Sequence, residues 1–283
     1  MEDFFSYAFM QRALWASLWV SITCAILGVF LVLRKDAMIG HGLAHVTFGG
    51  VALGLLLYVS PMGVALGVAI FSALGILKLK ERAGLYGDTA IAIISSLGMA
   101  LGILMVSLAG SLNLDIFGYL FGNVLAIDWE EVWVAFLLAV TVLLAVAFFY
   151  QEFLFITFDL ESARVSGIQV GRFDALMAVL TAVVVVLGMK VVGILLIAAL
   201  LVIPAAAALQ ISRSFKEALL ISALLGGGSA TGGLIAAFYL DWPPSATIVL
   251  IAGIAFLLLF LIRMRHKISR SPKGESIGIG DRS

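Results

Sequence analysis

Apolar residues run along this chain in blocks of about twenty, separated by short clusters of charged and turn-forming residues, with no dominant helical stripe or strand alternation inside them. A helix rises about 1.5 Å per residue, so a block of this length crosses a hydrocarbon core about 30 Å thick. A helix apolar on every side belongs among other helices and lipid. The blocks predict nine spans, at approximately 12–33, 37–59, 62–79, 88–109, 130–150, 173–189, 191–212, 216–240 and 245–262. The count is bounded at eight to ten, because Gly110 to Asp128 is polar and broken by glycine, while Ile116 to Leu125 suits a half-helix buried against protein. The expected fold is all-α, a single polytopic membrane helix bundle over residues 1–283 that ends in a basic tail at 266–283. The first block, Ala13 to Leu33, follows Glu2 and Asp3 and exceeds the roughly 7 to 15 apolar residues of a signal-peptide core, so it reads as a retained span.

Basic residues set the orientation, because Lys and Arg accumulate in cytoplasmic loops. With the N-terminus outside, all 17 Lys and Arg residues except Arg12 and Lys190 fall at cytoplasmic ends. Trp15, Trp19, Trp129, Trp133 and Trp242 then fall near the outer ends of their spans, where an amphipathic ring sits at the headgroup level. The C-terminus is cytoplasmic, and residues 151–172 form the one large cytoplasmic loop, Gln151 to Arg172. Within it, Asp159 to Arg164 reads as a short helix with Asp159 as N-cap and Gly167 as stop.

Composition removes several classes of function. With 63% hydrophobic and 12% charged residues and a mean hydropathy of +1.18, the chain cannot be a soluble domain. Basic and acidic residues balance at 17 each, which leaves no basic face for nucleic acid. A single cysteine, Cys24, excludes a disulfide framework and a thiolate metal cluster. No lysine is followed by Ser or Thr, so the phosphate-binding loop of nucleotide hydrolases is absent from the sequence.

The chemistry that remains lies inside the spans. His41 and His45, in GHGLAHVTFGG, are four residues apart and so share one helix face, a geometry in which two imidazoles converge on one metal ion. Intramembrane ionisable groups mark pathways, which favours this reading over simple hydrogen bonding to neighbouring helices. The pair is not the zinc-hydrolase motif HExxH, because Gly42 stands where that motif needs a glutamate general base. Gly40, Gly42, Gly49 and Gly50 suggest close helix packing. Pro204, in LLVIPAAAALQ, is expected to kink the seventh span, for packing ahead of a gating role. Gly228 and Gly232 have the GxxxG spacing of a helix contact, Asp88 reads as an anion at a helix N-terminus, and His266 as a solvated tail residue.

Four ordered segments carry a resemblance: LVLRKDAMIGHGLAHVTFGGVALG, GDTAIAIISSLGMALGILM, FDLESARVSGIQVGRFD and VGILLIAALLVIPAAAAL, with DWPPSATIVL before the last span. They resemble the permease subunits of the zinc/manganese family of ABC importers, over nearly the whole chain. The resemblance implies a type II importer permease in the cell membrane, a homodimeric channel fed outside by a separate metal-binding protein and bound inside by ATP-binding cassette subunits that hydrolyse ATP. The permease itself is then no enzyme and holds no resident cofactor; the divalent metal is cargo. It also implies that Asp159, Glu161, Ala163, Arg164 and Gly167 belong to the segment that couples to the ATPase. The family commonly has Asp four residues before a His in the second span; here His41 stands at the Asp position and His45 is retained. Imidazole suits zinc and carboxylate suits manganese, so zinc is expected first and manganese next. The nearest alternative within the class is a larger-permease substrate such as a siderophore or cobalamin chelate. A non-ABC secondary transporter would need coupling carboxylates at span centres, where this sequence has no Asp or Glu. A purely structural membrane scaffold would need no histidine pair, and ATP-dependent uptake with partner subunits separates it from a permease.

Overall fold

Several helices in this chain begin or end at capping groups or left-handed turns. In the computed structural model, which describes residues 4–84, 86–108, 122 and 127–269, a 3-10 turn at Phe4–Ser6 leads into α1 (Ala8–Leu33), α2 (Ile39–Leu56), α3 (Pro61–Ala83) and α4 (Gly87–Leu108). There follow α5 (Trp129–Phe148), α6 (Tyr150–Phe158), α7 (Leu160–Val165), α8 (Val170–Val192), α9 (Ile194–Ile211), α10 (Phe215–Leu240) and α11 (Pro244–Ser269). The Ser60 hydroxyl caps α3 ahead of Pro61, and Gly84, at φ +61°, closes it in the left-handed region. Asp128 and Glu131 form a reciprocal capping box at the start of α5. The Ser214 hydroxyl accepts from the Glu217 amide (3.2 Å), and the Glu217 carboxylate accepts from the Arg213 amide (2.7 Å), which together fix the start of α10.

Each of the nine expected spans coincides with a helix. Among the described residues, eight helices are long and apolar enough to cross a membrane, and α9 adds a shorter apolar segment, Leu196–Ile211. Two expectations change. The first part of the 151–172 loop is helical: α6 follows α5 almost without a break and buries Phe153 and Ile156 against the bundle. Residues 266–269 of the expected tail continue α11, because backbone hydrogen bonding does not stop where the apolar run does. The half-helix expected at Ile116 to Leu125 lies, apart from Gly122, outside the described residues, as do tail residues 270–283.

Helices α1, α2 and α8 are the most buried, and α2 is pressed from three sides. A Cβ on Gly40 would stand 2.4 Å from Leu201 Cδ1 of α9, one on Gly42 2.4 Å from Ile91 Cγ2 of α4, and one on Gly50 2.6 Å from Ala65 Cα of α3. A Cβ on Gly49 would stand 2.6 Å from the Gly98 carbonyl oxygen. Across that contact, α4 presents Gly98 and Gly102, whose Cβ positions lie 2.8 Å from Val46 Cα and 2.9 Å from Gly49 Cα. The sequence reading missed this GxxxG pair and singled out another: Gly228 and Gly232 face open space, and it is Gly226, Gly227 and Gly233 of α10 that make close approaches. The α3 contact is made by a ridge of small residues, Ala65, Ala69 and Ala73, all fully buried.

Ion pairs sort to the two ends of the bundle. At one end Arg12 pairs with Asp128 (3.1 Å) and Lys190 with Glu131. At the other, Arg34 pairs with Asp174 and Lys80 with Asp36. Each pair ties two different helices or a helix to the loop beside one, and the grouping matches the alternation of ends expected for these spans.

Replacing Gly49 by Ala forces a methyl group against the α4 backbone, and overpacking of this kind costs about 1–3 kcal/mol. The same change at Gly75 of α3, where a Cβ meets nothing within 4 Å, is expected to be neutral or to stabilise by about 0.5–1 kcal/mol through helix propensity. Thermal unfolding in detergent should rank Gly49→Ala below the parent and Gly75→Ala at or above it; equal losses would mean that α2 and α4 are not held by this contact.

Candidate functional site

The histidine face of α2 exists because its other faces are occupied by glycines against α3, α4 and α9. His41 and His45 project side by side from it, with Nε2 atoms 3.1 Å apart and ring planes at 90°. Two nitrogens bound to one tetrahedral zinc at about 2.0–2.1 Å stand about 3.3 Å from each other, so the observed separation needs a shift of only a few tenths of an ångström. A pair of Nε2 atoms at this distance shares either one proton in a hydrogen bond or one cation between two lone pairs. His41 is exposed and His45 half-buried, and both line a cavity of about 580 Å³ between α2 and α4. Ser95, Ser96, Met99 and Asp88 line it too, while no group of three His, Cys, Asp or Glu side chains able to hold a metal ion occurs among the described residues. The pair thus offers two ligands and leaves the rest of a coordination shell to water or to another surface.

The residues of the 151–172 loop form a second unit. Asp159 caps α7, accepting from the Ser162 amide at 2.9 Å and from the Ser162 hydroxyl at 2.6 Å. Gly167, at φ +83°, ends it as expected. Ala163 is fully buried and seats α7 on Ile156 and Val170, so it anchors the helix from beneath. Glu161 and Arg164 are exposed. The sequence reading missed two apolar side chains beside them, Phe158 (66% exposed) and Val165 (90% exposed), which alternating polarity in so short a helix does not reveal. Arg164 also lines a charged cleft of about 450 Å³ shared with Arg34, Asp36, Lys80 and Asp174.

Pro204 is buried within α9, which runs through it without a break. One turn away, the Leu201 carbonyl lies so close to Gly28 of α1 that a Cβ there would stand 1.9 Å from its oxygen. The surroundings of Pro204 are those of a tight helix contact. His266 lies in the last turns of α11.

A family model described as the ABC 3 transport family matches residues 6–263. The manganese transport system membrane protein MntC of Listeria monocytogenes is 33% identical over 280 residues, covering 98% of this chain and 99% of that protein. The high-affinity zinc uptake system membrane protein ZnuB of Haemophilus influenzae is 32% identical over 253 residues, 89% of this chain and 97% of that protein. Among solved structures, a chain of PsaBC from Streptococcus pneumoniae in complex with Fab matches with a TM-score of 0.83 at 31% identity, covering 94% of this chain and 96% of that one.

The hydrogen bonds from Ser162, its hydroxyl first and its amide second, hold the Asp159 carboxyl below its ordinary value of 3.8. A depressed carboxyl contributes stability that is complete above the ordinary value and is lost as pH falls through the lowered one. Protection factors of the Leu160–Val165 amides, taken relative to intrinsic exchange at each pH, should therefore stay constant near neutrality and fall only under strong acid. Asp159→Ala should lose that protection at every pH, whereas Asp159→Asn, a good N-cap without charge, should keep it; equal protection in all three chains would remove the cap from the account of α7.

Proposed function

Because the chain belongs to the ABC 3 transport family, as its four ordered segments imply, we propose that it is the permease subunit of an ATP-driven importer of divalent metal ions, with the cation passing the His41–His45 pair. It is a multi-pass membrane protein with the helical fold of ABC importer permeases. The observation that carries the reading is the pair itself: two ring nitrogens at 3.1 Å on the wall of an intramembrane cavity. An importer must release what it binds, so a site of two neutral ligands suits passage better than a closed shell would.

Zinc and manganese are the candidate cargoes. Two imidazoles favour zinc. Among the relatives, manganese is the metal named more often, so the order zinc before manganese rests on ligand chemistry alone. The cavity opens at the bundle surface beside the apolar outer face of α4, where Ile93, Leu97, Leu101 and Leu104 are exposed. A second copy of the chain covering that face would complete the path and supply further ligands, which supports a homodimer. The exposed side of α7, together with Phe158 at the end of α6, suits the cleft of a separate ATPase, and a binding protein would deliver metal at the end carrying Arg12 and Asp128. ATP hydrolysis belongs to the partner subunit in this reading, and this chain holds only cargo.

Orientation is tested by single cysteines in a Cys24→Ala background. Ser162→Cys should react only with reagent on the cytoplasmic side and Ala246→Cys only from outside; the reverse pattern would invert the topology. For transport, His45→Ala should lower uptake by reconstituted complex about tenfold or more while complex yield stays at the parental level, because the change removes a ligand and little packing. His41→Asp should retain uptake and move metal competition toward manganese. If His41→Ala and His45→Ala both carry zinc and manganese at the parental rate, the ion path lies elsewhere.

A further inference from the structure

The histidine cavity contains a charged group that the pair does not use. Gly42 of α2 meets Ile91 of α4, and Gly49 meets Gly98 and Gly102. Rising residue numbers on one helix meet rising numbers on the other, so α2 and α4 run parallel in a fixed register. That register puts Asp88 level with the first residue of α2, about 3 Å along the axis from His41 and about 9 Å from His45 at 1.5 Å per residue. All three line the same cavity, and Asp88 is the carboxylate among its lining residues. The titratable groups among the lining residues thus form a ladder, with His45 deepest, His41 next and Asp88 at the end where the helices begin.

We propose that Asp88 is the next station for the cation, receiving it from the histidine pair and releasing it at the cytoplasmic mouth of the path. This rests on the reading of the pair given above and on an outside N-terminus. Asp88 is exposed and has no ion pair or hydrogen bond among the described residues. The neighbouring cation that would otherwise neutralise it is committed elsewhere: the Lys80 ammonium is paired with Asp36, and a Cβ on Gly87 would stand 3.3 Å from each member of that pair. The same ion pair lies against Gly87, the first residue of α4 and the chain neighbour of Asp88. A divalent cation held by two neutral nitrogens keeps its full charge, so an anionic oxygen further along the wall draws it on. That oxygen is open to water, and manganese and zinc leave a single exposed carboxylate quickly. An anion placed merely to complement the helix N-terminus would explain the residue type, but it would not make transport depend on which metal is carried.

The test measures zinc, manganese and cadmium uptake by the reconstituted complex with its ATPase and binding protein. Asp88→Asn should lower the maximal rate about tenfold with a half-saturating metal concentration close to the parent's, because a late station governs passage rather than capture. Asp88→Glu should restore the rate. Asp88→Cys, in the Cys24→Ala background, should pass manganese but stall on cadmium, since a thiolate holds soft cations; a helix-end role predicts no such split. His45→Ala, measured in parallel, keeps the two readings apart. If His45→Ala abolishes uptake while Asp88→Asn transports at the parental rate and Asp88→Cys shows no cadmium block, the pathway stands and the Asp88 station falls. If His45→Ala transports normally, the pathway reading falls, and this inference with it.

Discussion

Everything in this bundle that bears on chemistry depends on how closely one helix is held. In lipid there is no hydrophobic gain from pressing one apolar helix on another, so association relies on dispersion, which decays within fractions of an ångström. Helix α2 meets this condition by omitting side chains: at Gly40, Gly42, Gly49 and Gly50 a single added carbon would collide with a neighbour. These glycines lie on the faces toward α3, α4 and α9. The face left over carries His41 and His45. The same feature that fixes the helix therefore fixes the direction in which two imidazoles point, without a dedicated hydrogen-bond scaffold.

Polar groups elsewhere are disposed of in two ways. Several hydroxyls inside the spans bond to backbone carbonyls: Thr47 donates to Leu43 (2.7 Å), Thr181 to Met177 (2.8 Å) and Ser222 across helices to Ala25 (2.8 Å). Formal charges gather at the ends in pairs that link separate elements, where the nearby water keeps desolvation small. Between those two layers His41 and His45 bond to each other, Nε2 to Nε2 at 3.1 Å, and face a cavity. Two imidazoles that face a cavity and bond to each other keep a lone pair available to a cation.

The spans were legible because the bilayer acts as a solvent with a fixed thickness, so run length alone reports them, and the histidine spacing was legible because a helix turns by a fixed angle per residue. What escaped the sequence is tertiary register. Gly228 and Gly232 have the right spacing for a contact but sit on the open face of α10, whereas Gly98 and Gly102 have the same spacing and meet α2; spacing cannot say which face a neighbour will choose. Helix α6 escaped because it abuts α5 and its apolar residues continue a run that the bilayer length had already ended. Asp88 was read from its own helix, as an end-of-helix anion, because only the parallel register of α2 and α4 brings it to the histidine cavity.

That register also bears on how an intramembrane site avoids becoming a trap. Two neutral nitrogens stabilise a divalent ion without cancelling its charge, and the partly filled shell leaves room for water or a further ligand. Affinity at such a place is limited by the unscreened charge in a medium of low dielectric constant. A full set of anionic ligands at the same depth would bind far more tightly and empty far more slowly. In the proposed path, separating the nitrogens from the carboxylate along the helix axis divides the two requirements: capture would depend on lone pairs that cost little to bury when no ion is present, and departure on a charge that stays near water. With His41 and His45 on one glycine-locked helix and Asp88 on the other, the spacing between these groups is set by backbone packing and not by the reach of flexible side chains.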